Sequence, residues 1–187
     1  MGHTQQVMET TARSPGSTRS LIARAVDGDA DAFRALIEPH VAAALGAGAI
    51  IVGSRDEARD VVQEATLAAW QGLRSLREPD AFPAWFRRLV IRAAMKRVRG
   101  RRAIVELDPS IVAPGGALDA AYESRMLGRA FARLDPKDRV VLTLRHFWDM
   151  PVEDAAVLLE VPSGTVKSRT HTALERLRAA YAAEERR

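Results

Sequence analysis

The chain of 187 residues contains no cysteine, which excludes disulfides, cysteine-ligated zinc, iron–sulfur clusters and thiol catalysis together. That absence fits a reducing cytoplasm. Aromatic residues are scarce at 5%, while alanine, leucine, valine and arginine abound, a bias towards helix. No stretch approaches the roughly 18 apolar residues of a membrane-spanning helix. The longest weakly polar stretch, Val41–Gly53, is rich in alanine and glycine and too short to span, so no membrane insertion is expected. Met1–Ser17 lacks the apolar core of an export signal and reads as a polar, disordered tail. The four histidines, His3, His40, His146 and His171, are scattered. No His-x-x-x-His motif or carboxylate pair supports a metal site; neither a metal nor a cofactor is expected, and no small-molecule substrate.

Acidic residues are absent from one long block. Between Ala81 and Val105 there is no Asp or Glu, while Arg87, Arg88, Arg92, Lys96, Arg97, Arg99, Arg101 and Arg102 are all basic. Arg55–Glu64 carries Asp56, Glu57, Asp60 and Glu64 against two arginines. The total charge of +4 thus hides two surfaces, one suited to a polyanion and its neighbour to a different partner.

What is present is helical periodicity broken by turn residues. Ser17–Gly48 predicts two helical segments punctuated by Asp27-Gly28-Asp29, with Asp29 or Asp31 as N-cap. Gly46, Gly48 and Gly53 leave the end of the second poorly defined. Ser54–Leu76 predicts a long helix capped by Ser54 with Glu57 three residues on; Val62, Ala65, Ala69, Leu73 and Leu76 form its apolar stripe. Pro79 stops it. The next helix runs from about Pro83 to Arg99, ended by Gly100, with Ala84, Leu89, Ala93 and Val98 as core positions. Ala103–Leu118 holds Pro109, Pro114 and Gly115-Gly116 without periodicity and reads as a linker. Asp119–Leu134 follows. Asp135-Pro136 then announces a helix through Val140, Val141, Leu144 and Phe147, with Asp138 near its N-terminus. The fold class is all-α: two small helical domains joined by a flexible linker, over 18–102 and 121–182, with a tail over 1–17 and the linker over 103–120.

The second domain contains a helix-turn-helix. Val152–Leu159 is a short helix, Glu160-Val161 a tight connection, and Pro162–Arg178 a longer helix. Ala155, Ala156 and Leu159 face Val166, Ala173 and Leu177, and the small alanines permit a close crossing. Lys167, Ser168, His171 and Thr172 fall at i, i+1, i+4 and i+5, one exposed face able to donate to base edges. Thr165 and Arg169 sit where phosphates would lie. Periodicity alone leaves a plain helical hairpin with a polar face as an equal alternative.

The wording of the segments goes further. Val161–Arg178 (VPSGTVKSRTHTALERLR) resembles the promoter-reading helix of extracytoplasmic-function sigma factors, the small two-domain branch of the sigma-70 family. Leu134–Arg145 (LDPKDRVVLTLR) resembles the helix preceding that unit. Asp60–Trp70 (DVVQEATLAAW) resembles the family's core-polymerase-binding helix, and Phe82–Arg88 (FPAWFRR) the start of its promoter-melting helix. The motifs stand in the family's order over about residues 20–182.

The resemblance implies an initiation subunit that does no chemistry itself, with core RNA polymerase, promoter DNA and an anti-sigma factor as partners and a cytoplasmic location. It assigns Asp60, Gln63, Glu64, Thr66 and Trp70 to the coiled-coil clamp of the polymerase's largest subunit. Two acids, an amide and a large aromatic suit a basic, partly apolar helical partner; the alternative for Trp70 is a core residue. It assigns Trp85, Phe86, Arg88, Arg92, Lys96 and Arg99 to the melted promoter element. Trp85 and Phe86 are candidate stacking platforms, although Phe86 is as readily a core residue. It assigns Arg145, Ser163, Thr165, Lys167, Ser168, Arg169, His171 and Thr172 to the upstream element. The linker's mild acidity (Glu106, Asp108, Asp119) resembles segments threaded into the polymerase's RNA channel, with simple spacing as the alternative.

Five positions depart from the family. Arg92 and Lys96 stand where asparagine or another uncharged or acidic residue is frequent, and they favour phosphate or guanine over adenine. Glu160 replaces a common turn glycine, at roughly 1 kcal/mol if left-handed. Thr172 and Leu174 replace frequent basic residues; with five phosphate contacts across both domains the salt slope is on the order of −4 to −5. An ordinary helix-turn-helix regulator would not require the Asp60–Trp70 motif followed by an arginine-rich helix. A nucleic-acid enzyme would need converging acids, a nucleophile or a metal cluster; His171 and Glu175, four apart on one helix, are too few.

Overall fold

The structure is a computed structural model, and it describes residues 17–99 and 126–186. The tail, Gly100–Arg102, the linker and the start of the following segment lie outside the described residues. Among the described residues there are helices and turns and no strand.

Helix α1 spans Thr18–Val26, with the Ser17 hydroxyl accepting from the Ser20 N–H. Asp29 caps α2, Ala30–Val52, by accepting from the N–H groups of Asp31 and Ala32. Those bonds, with Arg24 at 2.6 Å, hold the Asp29 carboxyl below its ordinary pKa. Gly46 and Gly48 do not interrupt α2; it ends at Gly53, where φ of 84° is open to glycine. The continuous helix corrects the expectation from Val41–Gly53, because α2 is long and apolar enough by composition to cross a membrane. Half of that apolar window is buried inside the molecule, and the core helix of a globular protein passes the same test.

Ser54 caps α3, Arg55–Gly72, accepting from the Glu57 N–H at 3.4 Å. One face of α3, including Val61, Val62, Ala65 and Ala69, packs into the core. Two short 3-10 turns, Leu73–Ser75 and Pro79–Ala81, lead into α4, Phe82–Arg99. Its core face differs from the expected one: Phe82, Phe86, Val90, Ile91 and Ala94 are buried with Ala93, while Leu89 and Val98 are half-buried and Ala84 is exposed. Placing Phe82 and Phe86 inward buries two large rings, parallel and 6.1 Å apart, and turns the helix accordingly.

Of α5, residues 126–132 are described. Helix α6 spans Pro136–Leu142 and passes into a π-helical turn, Thr143–Phe147. That turn rotates Phe147 outward, so it is half-exposed rather than an extension of the Val140, Val141, Leu144 core. Helix α7 spans Val152–Leu159 and α8 spans Ser163–Glu185, beyond the expected end at Arg178. One contiguous apolar core runs from Ile22 to Ala173 and includes residues of both halves.

Candidate polymerase and promoter interface

The connection between α7 and α8 is closed by the backbone. The Val161 N–H donates to Ala156 O at 3.1 Å and the Glu160 N–H to Val157 O, the paired bonds of a Schellman termination. This termination needs a left-handed residue, and Glu160 occupies it at φ 56°, ψ 44°. The helices cross on buried Ala155, Ala156, Val166 and Ala173, with Leu159 and Leu177 half-buried at the edges. A larger residue at either α7 alanine would push α8 away.

Packing Val166 and Ala173 inward turns Lys167, Ser168 and His171 to solvent, with Thr172 partly covered. Ser163 is exposed, and Thr165 and Arg169 are half-buried. The Ser168 hydroxyl donates to Thr165 O at 3.1 Å, and His171 Nε2 lies 3.3 Å from Glu175. Arg145 is half-buried and its guanidinium donates to Met150 O. Its described contact is therefore structural, holding the corner before α7. Behind α8, Arg176 donates to the buried Asp138 at 2.7 Å. That hydrogen bond, and the Asp138 charge after it, raises the Arg176 pKa further.

On α3, Asp60, Gln63, Glu64 and Trp70 share a largely exposed face, and Thr66 is half-buried. Trp70 is both core and surface: its ring meets Phe33 edge-on at 4.9 Å, yet 38% of the residue is exposed. Leu67 was missed in the sequence. It is 56% exposed, three residues after Glu64 and three before Trp70. An apolar residue inside a polar stripe was the available signal. The acids are not isolated: Asp60 pairs with Arg97 at 2.6 Å and Glu64 with Lys96 at 2.5 Å, joining α3 to the basic helix.

On α4, Arg88, Arg92, Lys96 and Arg99 are exposed. Trp85 is half-buried over Gly72 and beside Phe82. Phe86 is corrected: at 1% exposed it belongs to the core and cannot stack on a base in this fold. His40 lies against Phe82 and Phe86, and burial first, with Arg87 second, lowers its pKa.

Residues 36–104 match the family model described as Sigma-70 region 2, and residues 124–177 match Sigma-70, region 4. The RNA polymerase sigma-H factor of Pseudomonas aeruginosa is 31% identical over 84% of this chain and 90% of its own. The ECF RNA polymerase sigma factor SigM of Mycobacterium tuberculosis is 30% identical over 88% of this chain and 85% of its own. Among solved structures, CnrH in complex with the cytosolic domain of CnrY is similar at a TM-score of 0.63, with 28% identity over 89% of this chain and 97% of that one. The sigma factor RpoE of Bartonella quintana, solved with the anti-sigma factor NepR, shares the fold at a TM-score of 0.58 and 22% identity over 79% of this chain and 95% of that one. With both region models matched in order and near-full-length relatives aligned, the chain belongs to the extracytoplasmic-function sigma factors of the sigma-70 family.

Proposed function

We propose that this initiation factor divides its work between two surfaces, and that it joins core RNA polymerase through α3 and reads promoter DNA through α8 and α4. The single observation that carries this is the exposed face of α8. Lys167, Ser168 and His171 project from a helix anchored by Val166 and Ala173, the presentation a major-groove helix needs. Ser163, Thr165, Arg169 and Thr172 flank that face and contact the upstream element's backbone or edges. Arg88, Arg92, Lys96 and Arg99 supply the cations for the melted element, with Trp85 beside them.

Asp60, Gln63, Glu64, Thr66 and Trp70, with Leu67 added, form the polymerase contact. Its acids suit a basic partner helix and its two apolar residues suit a partly buried one. The functional division runs over 18–102 and 121–182. The factor works in the cytoplasm, performs no chemistry itself, and is held in check by an anti-sigma partner, as CnrH and RpoE are each solved with one bound protein. Transcription reconstituted from core polymerase on a library of promoter fragments tests the reading. Initiation at a defined promoter class only when this chain is added is expected; initiation no different from core alone would overturn it.

A further inference from the structure

Trp85 is the one aromatic residue on α4 that is not sealed in the core. Phe82 and Phe86 of the same helix are buried, while Trp85 is half-buried. Arg88 and Arg92 stand three and seven residues further on, so the indole and two exposed guanidinium groups share one side of the helix. An aromatic surface beside cations is the combination that holds single-stranded nucleic acid: stacking for a base, charge for the neighbouring phosphates. Bases inside a duplex are stacked on one another, so such a surface acts only once a strand has opened.

The position of that indole is set by a glycine on another helix. Gly72 ends α3 at φ −93°, ψ −4°, a conformation open to most residues, so backbone freedom does not explain it. Space does. A Cβ on Gly72 would lie 3.2 Å from Cζ2 and 3.6 Å from Cη2 of Trp85, the first closer than ordinary carbon contact. The six-membered end of the indole therefore rests on bare backbone, and Phe82 backs it at 5.9 Å with the rings tilted by 50°. The seat itself is fixed. Gly72 O accepts from the Ser75 hydroxyl at 2.7 Å, Leu73 is buried, and Arg74 Nη2 donates to Val26 O at 3.3 Å, tying the turn to the end of α1. A platform held in this way loses little freedom when a base settles on it.

We propose that an unpaired base of the melted promoter strand stacks on Trp85, and that Gly72 is the positioning residue that sets the indole for it. The proposal rests on the assignment of α4 to the melted element. Stacking tolerates any base, because every base has a π-face, so Trp85 holds the strand open and does not choose its sequence.

Holoenzyme assembled from core polymerase and this chain tests it, on a promoter fragment recovered by reconstituted transcription. 2-Aminopurine is placed at one position of the melted element at a time, and its fluorescence is read per open complex. That fluorescence rises when the base unstacks and is quenched where it restacks on an indole. At one position of the parent complex the rise should be no more than about half that at its neighbours. Trp85→Leu keeps an apolar side chain over Gly72 and should restore the rise there alone. Gly72→Leu fills the seat, leaves Trp85 in the chain and should do the same, with helical circular dichroism and core binding retained. In both variants the yield of open complex should fall on the order of tenfold. A parent with no quenched position, quenching that survives either variant, or a change at every position alike would overturn the proposal. If Gly72→Leu does not fold, Gly72→Ala decides: a smaller recovery at the same position is expected, and none there would refute the positioning role. If Arg92→Ala with Lys96→Ala abolishes opening while Trp85→Leu changes nothing, α4 stays at the melted element and the platform is refuted. If none of these variants alters opening, the assignment of α4 itself fails.

Discussion

Arg139 donates from Nη1 to the carbonyl of Ile51, 88 residues away in sequence, and from Nε to the carbonyl of Leu134 at 3.1 Å. Burial lowers its pKa, opposed by the charge of Asp135, and only 6% of the residue is exposed. The side chain thus ties the C-terminus of α2 to the entry of α6. Arg139→Met keeps the length and removes both bonds, and a loss of about 1–3 kcal/mol is expected. Urea unfolding followed by circular dichroism measures it; an unchanged midpoint would show that water replaces the guanidinium without cost.

Glu160 sits in the left-handed region at φ 56°. A non-glycine residue there costs about 1–2 kcal/mol, and its ion pair with Arg92 is exposed and worth little. Glu160→Gly should therefore stabilise the chain by about 1 kcal/mol, raising Tm by about 2–4 °C. A fall in Tm would mean that the Glu160 side chain contributes more than its backbone strain.

His40 carries a pKa below its ordinary value of 6.5, because burial against Phe82 and Phe86, and secondarily Arg87, disfavours the charged ring. The unfolded chain then binds a proton more readily than the folded one. The stability due to neutral His40 is present above pH 6.5 and is lost as the pH falls below it, down to the depressed folded value. Thermal melts between about pH 7.5 and 5.5 should show Tm falling, with a shallower slope in His40→Gln. Identical slopes would show that His40 does not set the pH dependence.

Asp60, Gln63 and Glu64 changed together to alanine should weaken core polymerase binding at least tenfold. Their ion pairs with Arg97 and Lys96 are largely exposed, so fold stability should move by no more than about 1 kcal/mol per pair. Leu67→Asp should weaken the same binding without breaking an ion pair. Competition against a labelled parent chain measures both, and full binding by the triple variant would refute the α3 assignment.

Lys167→Ala and Ser168→Ala should relax preference at the upstream element, by about 1–3 kcal/mol for each side chain that reads a base edge. Arg88→Ala should instead weaken binding to all sequences and reduce the salt slope by about one. Binding selections at two salt concentrations separate the two behaviours. An unaltered sequence preference in the α8 variants would move the reading face elsewhere.

The sequence by itself determined the helices and most of their ends, because capping and turn chemistry are local. Ser54, Asp29 and Pro162 announce helix starts that the structure places within a residue of them, and the α7 boundaries follow from Pro151 and Glu160. It also determined the outward face of α8, since Val166 and Ala173 recur at helical spacing. The family was legible in four segments whose order no single segment could supply.

Tertiary structure alone decided what depends on contacts between distant residues. Phe86 could serve a base or the core until α2 placed His40 and the core against it. Gly46 and Gly48 left the end of the second helix poorly defined, yet α2 continues through them because packing on α3 and α4 outweighs a propensity of about 1 kcal/mol for each glycine. Phe147 continued an apolar period that the π-helical turn then broke. The pairing of Asp60 and Glu64 with the basic helix joins residues more than thirty positions apart. Phe147 lies so close to Gly46 that a Cβ there would be 2.7 Å from its Cζ, a contact set by the shape of two surfaces, which no local pattern encodes.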